Sequence, residues 1–248
     1  MTSKYSFPTK KERENLKKFI AREPNKNLRQ LKNAAKAWLR AHWENKLSYE
    51  VNWLGMPIIQ TVEDMIVLQE IVYDIRPDFI VETGIAHGGS LVYFASLLEL
   101  LGKGRVIGID VEIRKHNKIL LEKHPMIKRI TLIEGDSSSQ EILKKIRNKI
   151  PKNSKVLVVL DSNHTREHVL KELNLYSPLV NRGSYIIVED TIMPEVAKYK
   201  HAKDYYGNDN AKQAVNIFIK NNKKFITDKA REKLGFTYFP GGFLKRIK

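Results

Sequence analysis

The chain has 248 residues, of which 42% are hydrophobic, and this length suits one α/β domain with a sizeable core. It contains no cysteine, which excludes disulfides, thiolate metal sites and cysteine nucleophiles. No apolar run approaches the ~20 residues of a membrane span, and residues 1–8 lack the apolar core of a signal peptide. We therefore expect a cytoplasmic protein without a membrane span.

The formal net charge of +16 is unevenly distributed along the chain. The excess of Lys and Arg lies in residues 1–50 and 196–248, whereas residues 51–195 are close to neutral. Basic flanks can attract nucleic acid, phosphorylated sugars or a lipid surface, but solvated helix faces explain them equally well. Because no stacking-aromatic motif accompanies the charge, nucleic acid is not excluded but is not the favoured partner.

Residues 1–50 are predicted to form a helical extension that caps the main domain, covers its active site or pairs with another subunit. Apolar residues recur there at intervals of three and four, and Pro24-Asn25 separates two helices. The recurring residues are Leu16, Phe19, Ile20, Leu28, Leu31, Ala35, Trp38 and Leu39. Trp38, Leu39 and Trp43 give this segment more apolar surface than a free appendage should expose. We therefore expect it to pack on the main domain or on another subunit, giving a homo-oligomer.

Residues 51–248 are predicted to form the main domain. A helix over residues 62–75 ends at Arg76-Pro77-Asp78, after which short apolar runs alternate with helical stretches. The predicted strands cover 79–82, 106–110, 130–134, 156–161 and 185–189, with helices near 89–101, 114–123, 139–149 and 165–177. Continuous apolar strands between helices indicate a doubly wound α/β fold with a parallel sheet covered on both faces. Its ligand crevice should lie at the carboxyl ends of the strands.

The tail is predicted to close the sheet with an antiparallel hairpin. A helix near 209–221 precedes strands at 236–239 and 243–247, with the turn signal Pro240-Gly241-Gly242 between them. A terminal hairpin of this kind fits a methyltransferase better than a dehydrogenase.

A glycine-rich turn follows the first predicted strand of the main domain. Gly84 permits a tight turn, and Gly88 and Gly89 open a helix whose N-terminal amides favour an anionic group. Ala86 stands where a dinucleotide fingerprint requires its second glycine. The pattern E-x-G-x-x-x-G-G instead resembles the nucleotide loop of S-adenosylmethionine methyltransferases, although a glycine turn without a ligand is the alternative.

Acidic residues follow the next two strands. Asp110 ends the second strand, where a carboxylate can accept hydrogen bonds from both ribose hydroxyls, although Asp also suits a helix N-cap. Asp136 or Ser137 follows the third strand and could meet the adenine amino group, while Ser138 could cap the following helix.

Three further carboxylates mark the ends of the fourth and fifth strands. Asp161, Glu189 and Asp190 should meet at one edge of the sheet, beside the presumed cofactor crevice. Neighbouring carboxylates repel one another unless a cation, a shared proton or a basic partner intervenes, and no Lys or Arg lies in either motif. Hard oxygen ligands suit Mg²⁺, so we predict a magnesium site, with solvated or capping carboxylates as the alternative.

In combination these motifs resemble the cephalosporin hydroxylase family. The matching segments are Trp53 to Pro57, Arg76 to Ser90, Leu160 to His164, Val188 to Asp190 and Pro240 to Arg246, within residues 50–247. The resemblance implies a mostly parallel, Rossmann-like methyltransferase sheet that binds S-adenosylmethionine and Mg²⁺. It implies metal ligation by Asp161, Glu189 and Asp190, and a base role for His164, for which a capping or core histidine is the alternative. It also implies cofactor contacts at Glu82, Gly84, Asp110 and Asp136. The residues themselves add His87, Gly88, Ser90 and Ser137 as candidate cofactor contacts, with His87 also a weaker candidate base.

The expected function is therefore Mg-assisted O-methylation of a hydroxyl on a sugar or secondary metabolite. An RNA-directed O-methyltransferase and a non-catalytic nucleotide-binding subunit remain alternatives. A methyltransferase acting on DNA amino groups is disfavoured, because the fourth strand is not followed by the Asn/Asp-Pro-Pro-aromatic run it would need. The sequence does not identify the acceptor, but residues 1–50 and 192–212 should determine specificity.

Overall fold

A computed structural model describes residues 7–18 and 28–248. Two helices form the N-terminal extension, α1 (Lys10–Lys18) and α2 (Leu28–Glu44), as the apolar spacing predicts. The predicted break at Pro24-Asn25, together with Phe19 and Ile20, lies outside the described residues. The remaining helices are α3 (Val62–Ile75), α4 (Gly89–Leu100), α5 (Lys115–Lys123), α6 (Gln140–Arg147), α7 (Arg166–Tyr176), α8 (Met193–Val196) and α9 (Ala211–Asn221).

The strands form a two-stranded ribbon and one large sheet. The ribbon pairs β1 (Asn52–Trp53) with β2 (Met56–Pro57) in antiparallel fashion. The sheet contains β3 (Phe79–Thr83), β4 (Arg105–Asp110), β5 (Ile130–Glu134), β6 (Val156–Leu160), β7 (Tyr185–Val188), β8 (Phe225–Thr227) and β9 (Phe243–Arg246). Their order is β5-β4-β3-β6-β7-β9-β8, with β5 to β7 parallel and the last two strands antiparallel. The predicted doubly wound, mostly parallel sheet is confirmed.

Apolar residues enter the sheet in continuous runs because both of its faces are covered. Every residue of β6 is buried, and alternate residues contribute to two separate clusters. Leu157 and Val159 join one cluster, whereas Val156, Val158 and Leu160 join the other. This arrangement follows from the two-residue side-chain period of a strand.

The helix predicted over residues 62–75 is observed with those bounds. The Thr61 hydroxyl accepts a hydrogen bond from the Asp64 amide at its start, and Arg76 ends it in the left-handed conformation, with φ of 49°. Pro77 cannot continue a helix, so the residues at positions 76 and 77 are sufficient to end it.

The antiparallel end of the sheet differs from the prediction in one strand. β9 is observed, but its outer partner is β8, and residues 236–239 are not a strand. The Tyr238 amide donates to the Asp64 carboxylate at 2.8 Å, and the Tyr238 carbonyl accepts from the Ile192 amide at 3.0 Å. Because the backbone amide and carbonyl of Tyr238 are already hydrogen-bonded in this way, residues 236–239 do not pair with β9. Pro240-Gly241-Gly242 is therefore not a hairpin turn.

Helix α2 packs against the main domain through its last turns. Leu39 is 3% exposed and joins the same core cluster as Phe239, and the buried His42 lies 2.7 Å from the Tyr238 hydroxyl. Trp38 is 45% exposed on the outer side of the helix. Across the described part of the chain, no helix combines the length and apolar character required to cross a membrane.

Candidate active site

Five parallel strands end at one edge of the sheet, which gathers the side chains selected from the sequence. The loop after β3 carries the glycine-rich turn, and the segments after β4 and β5 carry Asp110 and Asp136. Those after β6 and β7 carry Asp161 and the Glu189-Asp190 pair. A parallel sheet directs all these ends to the same side, so topology assembles the site.

The glycine-rich turn is packed tightly against its neighbours. A Cβ on Gly84 would lie 2.0 Å from the Asp161 carbonyl oxygen, and one on Gly89 would lie 2.1 Å from the Pro57 carbonyl oxygen. Gly84 and Gly88 both adopt positive φ, and Gly88 is the N-cap of α4. The glycines are therefore required both by the backbone conformation and by the close approach of the loop to β6 and β2.

Asp110 orders this turn. Its carboxylate accepts hydrogen bonds from the Ile85 amide at 2.8 Å and the Ala86 amide at 3.4 Å. It does not cap the following helix, because the N-cap of α5 is Arg114. One Asp110 oxygen is thus committed to the loop, and the other accepts a hydrogen bond from the Glu112 amide at 3.3 Å.

Glu82 lies on β3, two residues before Gly84 of the glycine-rich turn. Its side chain is fully buried, and neither carboxylate oxygen has a hydrogen-bond partner of acceptable geometry among the described residues. Burial raises the pKa of Glu82 to about 8, and the nearby Ser90 hydroxyl opposes that rise. An unpaired buried carboxylate is costly, so the site fits a cationic group of a ligand.

The segment after β5 is fixed by two separate sets of contacts. Asp136 is exposed and accepts hydrogen bonds from the Ser138 amide and hydroxyl, both at 2.8 Å, which lower its pKa. Ser137 is buried and donates to Glu172 at 2.6 Å. The helix cap predicted at Ser138 is wrong by one residue, because Ser139 accepts the hydrogen bond from the α6 backbone.

Glu172 on α7 joins this segment to the one after β6. The same Glu172 oxygen accepts hydrogen bonds from Ser137 and, at 2.8 Å, from Ser162. His168 lies 3.4 Å away, and hydrogen bonding to Glu172 raises the pKa of His168. Sequence reasoning missed this cluster because a Glu inside a helical pattern resembles a solvated residue until tertiary packing buries it.

Asp161, His164 and Asp190 form a compact group. One possible ligand atom from each lies within 4.8 Å of the others, and the His164 Nε2 is 3.4 Å from Asp190 and 3.8 Å from Asp161. Burial raises the pKa of Asp161 well above its usual range, and the charges of Asp190 and Glu82 raise it further. Two repelling carboxylates beside an imidazole are a donor set that suits a divalent cation.

Glu189 belongs to the same acidic cluster but has a partner of its own. The Gln60 amide donates a hydrogen bond to one Glu189 oxygen, and the Glu189 side chain is 3% exposed. Burial raises the pKa of Glu189, as does the charge of Asp161. Among the described residues, Glu189 is not part of the group of three around His164.

Asp190 adopts a backbone conformation that is rare for a residue with a side chain. Its φ is 54°, in the left-handed region. Such strain costs of order 1–3 kcal/mol and concentrates at functional sites. The conformation holds the Asp190 carboxylate against His164.

A cavity of about 380 Å³ opens directly above this group. Its walls include Trp43 from α2, Tyr206 and Tyr238, with the Trp43 ring centred 6.0 and 6.1 Å from the two tyrosine rings. Burial raises the pKa of both tyrosines, and the charge of Asp190 raises it further. Residues from both the 1–50 and the 192–212 segments therefore line this cavity, and their role in specificity stays a prediction.

A narrow cleft of about 30 Å³ adjoins the larger cavity. It runs along the turn from Ile85 to Ser90, including His87, and reaches Asp161 and Gln60, which also line the larger cavity. The glycine turn and the aromatic cavity therefore meet at Asp161. Ala86 also lines both spaces and has φ of 44°.

Comparison with known proteins gives consistent matches. The family model Rhamnosyl O-methyltransferase/CmcI matches residues 45–247. Rhamnosyl O-methyltransferases of Mycobacterium bovis and Mycobacterium leprae are each 28% identical over 221 residues, covering 86% of this chain and 84% and 90% of theirs.

Solved structures of CmcI share the fold. The apo structure superposes with a TM-score of 0.57 at 21% identity, covering 81% of this chain and 77% of that one. The structure with Mg and SAM gives a TM-score of 0.55 at 21% identity, covering 81% and 78%.

Proposed function

The chain belongs to the rhamnosyl O-methyltransferase/CmcI family, and we propose that it transfers the methyl group of S-adenosylmethionine to a sugar or secondary-metabolite hydroxyl, assisted by Mg²⁺. The observation that carries the proposal is the position of Asp161, His164 and Asp190 between the glycine-turn cleft and the aromatic cavity. Relatives named rhamnosyl O-methyltransferases favour a sugar acceptor.

S-adenosylmethionine would lie along the turn from Glu82 to Ser90. The amides at the start of α4 suit its carboxylate, and the unpaired Glu82 carboxylate suits its ammonium group. We assign the remaining cofactor contacts to His87, Asp110, Asp136 and Ser137. Asp110 would have to offer the ribose the lone pairs that its loop contacts leave free.

Asp161, Glu189 and Asp190 would hold the magnesium ion. Asp161 and Asp190 present oxygens beside His164, and Glu189 retains one oxygen beyond the one bound by Gln60. The ion, when bound, supplies Lewis acidity that lowers the pKa of an acceptor hydroxyl. The aromatic walls orient the acceptor and exclude water from the reacting oxygen.

We assign the proton-accepting role to His164. Its ring is 18% exposed at the floor of the cavity, within reach of a hydroxyl placed above Asp161. Asp190 and Asp161 lie close enough to stabilise the positive charge that the imidazole gains with the proton. Loss of the proton makes the acceptor oxygen a nucleophile for the methyl group in an in-line displacement.

Calorimetry and a transfer assay test this proposal. S-adenosylmethionine should bind with roughly micromolar affinity, and NAD should not bind. Incubation with methyl α-L-rhamnoside and Mg²⁺ should release S-adenosylhomocysteine, and chelation should stop the release. Tight NAD binding without S-adenosylmethionine binding would overturn the proposal.

A further inference from the structure

The larger cavity has charges of opposite sign at its floor and its rim. Its acidic lining residues are confined to the floor, where Asp161, Glu189 and Asp190 meet. Lys46, His201 and Lys203 line the same cavity with exposed side chains and form its rim. A divalent cation would offset most of the negative charge of the three carboxylates at the floor. The positive charges at the rim would then make the pocket attractive to anions.

The two rim lysines are not held in ion pairs. Neither Lys46 nor Lys203 forms an ion pair with any described residue, whereas Lys103, Lys128 and Lys233 each pair with a carboxylate. Lys203 instead lies 5.8 Å from the centre of the Tyr205 ring. Their charges are therefore available to a ligand.

The backbone holds part of this rim in a costly conformation. Lys46 and His201 have φ of 53° and 68°, in the left-handed region that glycine or asparagine normally occupies. Of the seven non-glycine residues with positive φ in the described segments, four line this cavity: Lys46, Ala86, Asp190 and His201. Residues in this region of backbone conformation cluster at binding sites, so their concentration around one cavity agrees with a ligand site there.

The two segments that carry the rim are fastened together. The Trp43 indole donates a hydrogen bond to the Lys200 carbonyl at 3.0 Å, and the Arg40 guanidinium lies 5.8 Å from the centre of the Tyr199 ring. These two contacts tie the end of α2 to the chain around His201. A preorganised rim loses less entropy when it binds a ligand.

We infer that the acceptor is a sugar carrying a negatively charged group, a carboxylate or a phosphate, which Lys46, Lys203 and His201 bind while its hydroxyl faces Asp161 and His164. This inference rests on the proposed function, because it places the methyl acceptor in this cavity. The aromatic walls accommodate the sugar ring. The opposite charges of the rim and the floor determine the orientation of the acceptor, with its anionic group at the rim and its reacting hydroxyl at the floor.

Calorimetry on the full chain with S-adenosylhomocysteine and Mg²⁺ tests the inference. The probes are methyl α-D-glucuronide, glucose 6-phosphate and the neutral methyl α-D-glucoside. At least one anionic probe should bind about tenfold or more tightly than the glucoside, with an advantage that shrinks as salt rises. A stronger carboxylate probe would indicate a uronic acid, and a stronger phosphate probe a sugar phosphate.

Charge variants provide the second arm. Lys46→Gln with Lys203→Gln should abolish the preference for anions, seen as equal affinities for the charged and the neutral probes. The matched control is Lys118→Gln with Lys220→Gln, which removes the same charge from exposed positions outside the cavity lining. It should leave the preference intact.

Equal affinity for charged and neutral probes, no binding of either anionic probe, or a preference that survives the Lys46 and Lys203 changes would overturn the inference. Efficient methylation of neutral glycosides without anion preference would refute the inference and leave the proposed function standing. Anion-selective binding without release of S-adenosylhomocysteine from S-adenosylmethionine would contradict the proposed function, and it would leave only the anion selectivity of the cavity established.

Discussion

Gly84 lies so close to the main chain of Asp161 that a methyl group on Gly84 would fall 2.0 Å from the Asp161 carbonyl oxygen. The turn proposed for the cofactor and the strand end proposed for the metal are thus in direct backbone contact. A change at one of them must displace the other.

Gly84→Ala should therefore weaken S-adenosylmethionine binding and metal-dependent activity together, and it should also lower the melting temperature. The stability loss follows from the clash of the added methyl group with the Asp161 carbonyl oxygen and from the positive φ of Gly84. Calorimetry and thermal melts measure the two effects.

Gly102→Ala separates steric contact from backbone strain. Gly102 also has positive φ, at 72°, but a Cβ added there would meet no heavy atom within 4 Å. This control should lower stability slightly and leave cofactor affinity unchanged. An equal loss of affinity in both variants would contradict the steric explanation.

Replacing Asp161 or Asp190 with Asn should reduce methyl transfer by orders of magnitude, because each change removes a proposed cation ligand and half of a repelling pair. Activity should vanish with EDTA and return with Mg²⁺. Cofactor affinity should change much less than the rate. The exposed Asp204→Asn variant is the control, and full activity in chelator would refute a metal role.

His164→Ala should retain cofactor binding and metal stimulation but lose about 10²–10⁴ in rate, as expected when a general base is removed. Partial recovery at high pH would follow, because solvent base then replaces the imidazole. Rate measurements across pH check this, with His116→Ala as an exposed histidine control. An unchanged rate would leave His164 with a structural role only.

The stability of the ligand-free protein in chelator should fall as pH rises from about 4.5 to 8. Glu82 has its pKa raised to about 8 and Asp64 to about 6, both by burial. A raised folded-state pKa means that the unfolded chain loses the proton first, so each group lowers the free energy of unfolding by at most about 1.4 kcal/mol per pH unit between its two pKa values. This range runs from 3.8 to about 6 for Asp64 and from 4.5 to about 8 for Glu82.

Glu82→Gln should flatten this slope and raise the melting temperature at pH 7.5, while abolishing tight S-adenosylmethionine binding. Thermal melts at several pH values measure the difference. The exposed Glu122→Gln variant should change neither property. A wild-type slope retained in Glu82→Gln would show that another group is responsible.

The large apolar side chains left exposed on α2 predict a homo-oligomer, because Trp38 and Leu31 are 45% and 43% exposed. Light scattering should give a mass above that of one chain. Trp38→Ser with Leu31→Ser should lower that mass without loss of cofactor binding. A monomeric wild-type protein would exclude this expectation.

Local chemistry determined much of the fold. The helix from Val62 to Ile75 is capped at Thr61 and ends at Arg76-Pro77. It can therefore be predicted from these local residues without the rest of the chain. The buried strands can also be predicted from the sequence, because a sheet covered on both faces requires continuous apolar runs. The strand-end acids followed from topology, since parallel strands end at one edge.

The tertiary structure alone decided where distant groups meet. Residues 236–239 resemble a strand, but the Asp64 carboxylate, buried on another element, takes the Tyr238 amide and keeps the segment out of the sheet. The spacing of residues along the chain likewise does not predict three other contacts. These are the hydrogen bond from Gln60 to Glu189, the position of Glu172 between two loops, and the position of Trp43 over the pocket. Their roles depend on contacts between residues far apart in the chain, which only packing of the whole domain brings together.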